Sequence, residues 1–216
     1  MQRGKMEKSY ITTKKESVSI FKEKKSEFIG RVFPVKSEAD CISILTQIKK
    51  KNYDATHNCY AYILGSNMEI QRSSDDGEPS GTAGLPILEV LRKNNLTDTL
   101  IIVTRYFGGI LLGSGGLIRA YSRAASEPLH EAGMVKVAPS NVYKLSCDYT
   151  YLEKLKYELP KMGFTILDIE FSNFVILKVT SPENISGPPD ELFAGITGGT
   201  GIIEDSGVIK VEIPLV

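Results

Sequence analysis

Asp75, Asp76 and Glu78 stand close together in the run Asp75-Asp76-Gly77-Glu78-Pro79-Ser80-Gly81-Thr82-Ala83-Gly84. Carboxylates clustered on a loop can hold Mg²⁺, which prefers oxygen ligands. They can equally serve the first turn of the helix that follows, where negative charge is favoured. Ser80 and Thr82 read as caps of that helix or as hydroxyls that orient a ligand. Downstream, Thr104-Arg105-Tyr106-Phe107-Gly108-Gly109 leads on to Gly113-Ser114-Gly115-Gly116 and Leu117-Ile118-Arg119-Ala120-Tyr121. An arginine fork grips phosphate or carboxylate by two-point contact. Tyr106 and Phe107 offer rings on which a base can stack. The competing reading of Arg105 is an ion pair with Asp76 or Glu78 that locks the two loops together. His57 is a candidate general base or a hydrogen-bonded residue at a strand entrance, with no recognisable serine or cysteine nucleophile as partner. The candidate binding set is therefore His57, Asp75, Asp76, Glu78, Ser80, Thr82, Arg105, Tyr106, Gly108, Gly109, Gly113, Gly115, Gly116, Arg119 and Tyr121. No residue is assigned a catalytic role, and no cofactor or metal is expected.

The second glycine loop follows a predicted strand and precedes a helix, the position of a phosphate-binding loop. Gly108 and Gly113 have the separation of G-x-x-x-x-G-K-[ST], but Ser114 stands where lysine is required. Ile118 stands where the dinucleotide fingerprint has its third glycine. A nucleotide site is accordingly a subordinate expectation.

These loops need elements to hold them. Strands are predicted around Val18–Phe21 and Phe28–Pro34, then a helix capped by Ser37 with Cys41, Ile44, Leu45 and Ile48 at helical spacing. A hairpin follows, Cys59–Leu64 returning through Gly65-Ser66-Asn67 to Met68–Arg72. The next helix runs through Ile87, Leu88, Val90 and Leu91. Thr99–Thr104 is a β-branched run typical of a central strand. Leu117, Ala120, Tyr121, Ala124 and Ala125 form the apolar face of a further helix, which Pro128 is expected to end or kink. Pro139-Ser140-Asn141 suggests a boundary, giving domains 1–135 and 140–216. The second part reads strand (Val142–Cys147), helix (Tyr151–Met162), strands (Thr165–Phe171, Phe174–Val179), helix (Asp190–Ile196) and strand (Val208–Ile213). That is the ferredoxin-like order. Ser181–Pro189 reads as a loop and Gly195–Gly201 as a flexible connection.

The chain has 216 residues, 42% of them hydrophobic and 24% charged, with a formal net charge of zero. Such a balance gives cores for an α+β fold and no global pull toward nucleic acid or membrane. Lysines gather before Ser26, and Asp and Glu after Cys147. Cys41, Cys59 and Cys147 have neither zinc spacing nor a disulfide framework and read as buried small hydrophobes. The absence of an apolar leader region and of a run long enough to span a bilayer leads to the expectation of a cytoplasmic protein without membrane contact.

The Asp75–Gly84 run, the Thr104–Gly109 run and the Gly115–Tyr121 run resemble the signature of the IMPACT/YigZ family, and His57-Asn58-Cys59-Tyr60-Ala61-Tyr62 resembles a further family block. The likeness extends from about Ser26 to Gly133 and continues more faintly to the C-terminus. It implies an N-terminal domain similar to the second domain of a small-subunit ribosomal protein, with a left-handed β-α-β crossover, and a C-terminal domain similar to the last domain of elongation factor G. Both point to translation, with RNA, the ribosome or a translation factor as partner. The alternatives are an enzyme acting on a small phosphorylated or peptide-like substrate and a protein–protein adaptor. The domain that precedes the family domain in eukaryotic relatives is not matched here. Leu85 and Leu111 stand where many relatives carry basic residues.

Overall fold

The computed structural model describes residues 8–181 and 187–215. In chain order the elements are β1 (Tyr10–Thr13), β2 (Ser17–Glu23), β3 (Ser26–Pro34), α1 (Glu38–Lys51), β4 (His57–Leu64), β5 (Ile70–Ser74), α2 (Gly84–Lys93) and β6 (Thr99–Tyr106). They continue with α3 (Ser114–Ala132), β7 (Met134–Cys147), α4 (Leu152–Lys161), β8 (Thr165–Phe171), β9 (Val175–Thr180), α5 (Asp190–Thr197) and β10 (Ile202–Pro214). Of the described residues, 8–137 and 212–215 form one compact unit, and 138–181 with 187–211 form another. Helices combined with antiparallel sheets make the protein α+β.

In the first unit the sheet order is β2-β3-β6-β4-β5. β3 and β4 each pair antiparallel with β6, so they run parallel to one another, joined through α1. The period of two along each strand sorts side chains onto two faces. Phe28, Val32, Cys59, Ala61, Ile101 and Val103 pack with α2 and α3. Tyr62, Leu64, Leu100 and Ile102 pack with Cys41 and Leu45 of α1. Arg105 continues the Ile101–Val103 row, toward α2 and α3. Tyr106 continues the Leu100–Ile102 row on the opposite face.

Helix α1 starts as expected, with the Ser37 hydroxyl accepting from the Asp40 N–H at 3.1 Å. Pro128 does not end helix α3, which runs on to Ala132. Proline has no N–H, so the Ala124 carbonyl has no donor at Pro128. β3 meets the helix at that point. A Cβ on Gly30 would lie 1.8 Å from the Ala124 oxygen and 3.4 Å from Pro128 Cγ. A glycine therefore lets the sheet approach the helix at the very carbonyl that proline leaves without its usual partner, and tertiary packing carries the helix through.

In the second unit β10 pairs with β7, and the order continues β9-β8. With α4 and α5 in between, this is the β-α-β-β-α-β arrangement. Leu155, Leu159, Phe193 and Ile196 pack on Leu145, Val175 and Leu177. Two strand expectations need correction, and one strand has no counterpart among them. Pro139-Ser140-Asn141, read as a boundary before a strand at Val142, lies in the middle of strand β7, close to the division of the units between 137 and 138, and the Ser140 hydroxyl donates to the Ser181 carbonyl at 3.0 Å. β10 begins at Ile202, well before Val208. Asp205 accepts from the Gly207 N–H at 2.8 Å, a local turn that reads as a break but lies within the strand. Finally, Tyr10–Thr13, hidden among lysines, is a strand paired with Met134–Val137. The expected Ser181–Pro189 loop lies largely outside the described residues.

Gly30→Ala should destabilise the protein by roughly 1–3 kcal/mol through overpacking. Urea denaturation of the variant beside the parent protein checks this; an unchanged midpoint would remove the close sheet–helix contact as a determinant of the fold.

Candidate functional site

Asp75 explains the first glycine loop. One of its carboxylate oxygens accepts from the N–H groups of Ala83 (3.0 Å) and Gly84 (2.8 Å), and the other from Gly81 (2.9 Å). Burial acts to raise its pKa, but the three N–H donors outweigh burial and hold the carboxyl below its ordinary value. It is therefore Asp75, from across the loop, that caps α2, whose own N-cap residue, Ala83, has no side-chain oxygen. Ser80 and Thr82 are not the caps. Ser80 is exposed, and the Thr82 hydroxyl donates to the Pro79 carbonyl at 2.6 Å. Gly84 is required by packing, since a Cβ there would lie 2.7 Å from the Ser74 backbone. Asp76 pins the loop to its neighbours. Its carboxylate accepts from the Asn58 N–H at 2.7 Å and from Lys49 at 2.6 Å. The two aspartates are thus committed to backbone N–H groups and a lysine. Among the described residues no group of three or more His, Cys, Asp or Glu is arranged to hold a metal ion.

Glu78 is the centre of a buried cluster. Its Oε1 accepts from Arg105 Nη1 at 2.6 Å and from the Tyr121 hydroxyl at 2.7 Å, and lies 3.8 Å from His57 Nε2. Strand register makes this possible. Arg105 is the direct cross-strand partner of His57 on one side and of Phe28 on the other. The His57 Nδ1 lies 2.8 Å from the Asp76 carbonyl. A carbonyl only accepts, so Nδ1 carries a proton and donates it to this bond. Arg105 Nη2 donates to the Ser26 hydroxyl, which also accepts from the Gly108 N–H. Burial pushes the Tyr121 phenol far above its ordinary pKa, and pushes the Cys59 thiol up to about 12. Cys59 is thereby a thiol, not a thiolate nucleophile.

A cleft of about 360 Å³ opens over this cluster, lined by His57, Glu78, Arg105, Phe107, Gly113 and Ser114 among others. The two glycine loops and the strand entrance therefore meet on one face. Several predicted residues lie elsewhere. Tyr106 sits across the sheet, its hydroxyl 3.3 Å from Asp54; strand alternation separates it from Arg105, so it cannot share a stacking surface with it. Asp75, Asp76, Ser80 and Thr82 do not line the cleft. Gly108 packs on the hairpin turn, where a Cβ would lie 2.1 Å from the Lys25 carbonyl group. Gly109 and Gly113 hold φ of 81° and 73°, and Gly115 stands at the start of α3. Arg119 and Gly116 face a second hollow of about 260 Å³, with Lys24, Phe21, Leu112 and Arg123. Leu112 lines both spaces.

Sequence reasoning offers Phe107 as a stacking ring but does not single out Lys24 or Arg123 as site residues. Arg119 and Arg123 are four apart and so share a helix face, a signal that is present in the sequence. Lys24 is hidden by the lysine-rich composition around it.

Fold and site together define a two-unit α+β protein whose first unit carries a loop-built cleft beside a cationic hollow. Residues 24–129 match the Impact N-terminal domain, and residues 145–188 match a domain of unknown function (DUF1949). The chain is 41% identical over 204 residues to the IMPACT family member YvyE of Bacillus subtilis (strain 168), covering 94% of each. It is 33% identical over 161 residues to the IMPACT family member YigZ of Escherichia coli (strain K12), covering 74% of this chain and 79% of that one. A solved crystal structure of a hypothetical protein is similar with a TM-score of 0.59 and 28% identity, covering 90% of this chain and 96% of that one. The chain belongs to the IMPACT/YigZ family.

Two outcomes follow from the cluster and the cap. Arg105→Ala leaves Glu78 buried without its cation and should cost about 3–5 kcal/mol, read by chemical denaturation; a loss below 1 kcal/mol would mean that the pair does not hold the loops. Asp75→Asn should cost roughly 0.5–2 kcal/mol at pH 7. The folded pKa of Asp75 is depressed, so its contribution is present above the unfolded value near ~4 and is lost as pH falls through the folded one. The gap between parent and variant should accordingly close in acid, as denaturation at pH 7 and at pH 2 would measure.

Proposed function

We propose that this protein is a translation-linked binding module whose first unit holds single-stranded RNA. Family membership supports a translation-related regulatory role. The RNA reading rests on one observation: Arg119 and Arg123 of α3 and Lys24 of the β2–β3 turn line one hollow, with Glu23 also on its wall and Arg123 paired to Glu127, and this hollow adjoins the cleft that Phe107 walls. A cationic track beside exposed rings is what sequence-tolerant binding of single strands requires. Lys24 and Lys25 hold φ of 45° and 66° at the tip of a two-residue hairpin. Asn-Gly is favoured at such a turn, and left-handed conformations cost a residue with a Cβ about 1–2 kcal/mol. Lys24, a strained lysine on the wall of the hollow, is a poor choice for stability and a good one for gripping phosphate. Leu111 does not remove this track, since it lines the cleft and not the hollow.

The adaptor reading has one observation in its favour. Leu111 is 81% exposed, and Ile110 and Ile118 are also exposed beside the cleft. An apolar protein surface could use them, with little dependence on salt. Cys59, buried and held as a thiol, offers the enzyme reading no thiolate nucleophile.

Fluorescence anisotropy with a single-stranded RNA decides between these readings. Affinity should fall steeply with salt, and Arg119→Ala together with Arg123→Ala should flatten the slope by about 1.4, or ~0.7 for each phosphate no longer neutralised. Lys24→Gly should raise the thermal midpoint by relieving strain while weakening RNA binding. Salt-independent affinity, or no binding at all, would overturn the RNA reading.

A further inference from the structure

We propose that the cleft takes one terminal nucleotide of the bound strand, its base on Phe107 and its terminal phosphate at the start of α3. This deepens the RNA reading and rests on it. The first ground is a column of stacked groups that ends in the cleft. The Phe21 and Phe28 rings are stacked with centroids 5.3 Å apart; the Arg105 guanidinium lies 5.4 Å from the Phe28 centroid and 5.4 Å from that of Phe107. The column starts at Phe21, a half-buried ring on the wall of the hollow with Arg123 over it, and finishes at Phe107, which is 44% exposed and lines the cleft. A base laid on that ring extends a stack that the protein has already built, and every base has a face that can do so.

The second ground is donors without acceptors. Arg105 is only 4% exposed and lines the cleft, yet its Nε–H has no hydrogen-bond partner among the described residues. Orphaned donors of this kind are rare in folded proteins and call for an acceptor. Gly113, the N-cap of α3, supplies no side-chain oxygen, and the first turn has no acidic residue. The opening N–H groups of a long helix therefore face the cleft with no side-chain acceptor, where an anion is favoured. Asp75 fills this role for α2. Among the described residues nothing comparable does so for α3.

The third ground is size and exit. A space of about 360 Å³ suits a single nucleotide. The cleft adjoins the cationic hollow at Leu112, so a strand that ends in the cleft can run on past Lys24, Arg119 and Arg123. A terminal phosphate carries more charge than a phosphodiester and makes the better use of a free helix start.

The test compares short internally labelled RNAs of one sequence, with a hydroxyl at both ends, a 5′-phosphate or a 3′-phosphate, against the full chain. One phosphorylated terminus should bind about tenfold tighter than the hydroxyl form, and the two phosphorylated arms identify which end enters. Phe107→Ala should weaken all three RNAs. Gly115→Asp should abolish the preference for phosphate while keeping the thermal midpoint, because a side chain there meets only the flexible Arg119 and a negative charge suits the first turn. Arg119→Ala should weaken every RNA alike and leave the preference intact. RNAs bound equally whatever their termini, or a preference that survives Gly115→Asp, would overturn this inference and leave the RNA reading standing. Failure of every RNA to bind would overturn both.

Discussion

The ion pair between Glu78 and Arg105 is the constraint on which the arrangement of the first unit's loops depends. Both side chains are almost wholly removed from water, at 3% and 5% exposure. A charge in that setting is tolerated only when paired and hydrogen-bonded. Glu78 sits on the loop before α2, Arg105 at the end of β6, and Tyr121, which shares the same carboxylate oxygen, on α3. Three separate segments are thereby tied to one oxygen atom. The rings of Phe28 and Phe107 beside the guanidinium keep water away from the pair and add cation–π attraction. Remove the pair and the cleft has no defined floor.

Glycine does two different jobs in this unit. At Gly30, Gly84 and Gly108 a neighbouring backbone comes so close that no Cβ fits. These positions let β3 reach α3, let the first loop return against β5, and let the second loop lie on the hairpin turn. At Gly109 and Gly113 nothing lies within 4 Å, and positive φ is what matters. Those two open the way to an uncapped helix. A dense run of glycines therefore marks close backbone approach as often as it marks a ligand surface.

The charged residues divide in a similar way. Asp75, Asp76, Glu78 and Arg105 are consumed by caps, pins and the buried pair. Their shared task is to hold loops in register. Beside the cleft, Lys24 and Arg119 face solvent with Phe107 and Leu111, and Glu23 is half-buried on the wall of the hollow. The chain as a whole is neutral, so a local surface and not the global field would recruit an anionic partner.

Much is legible in the sequence because it depends on local pattern. The β-branched run Thr99–Thr104, the Ser37 cap and the apolar spacing of Leu117, Ala120, Tyr121 and Ala124 each carry their own signal, and the α+β class follows from their order. The family signature also singles out the loops that build the cleft. The sequence leaves open whether Arg105 faces a ligand or Glu78, since both readings need the same residue types. Tertiary structure decides it through strand alternation, which sends Arg105 toward α3 and Tyr106 toward α1. It likewise decides that α3 continues past Pro128, that 138–141 is strand, and that Asp75 rather than Ser80 or Thr82 caps α2. In each case the deciding partner is distant in sequence or across a loop: Gly30 for the Ala124 carbonyl, Ser181 for Ser140, Gly84 for Asp75. Local propensity is written residue by residue along the chain, but a hydrogen bond or a close approach exists only when the fold brings its two ends together.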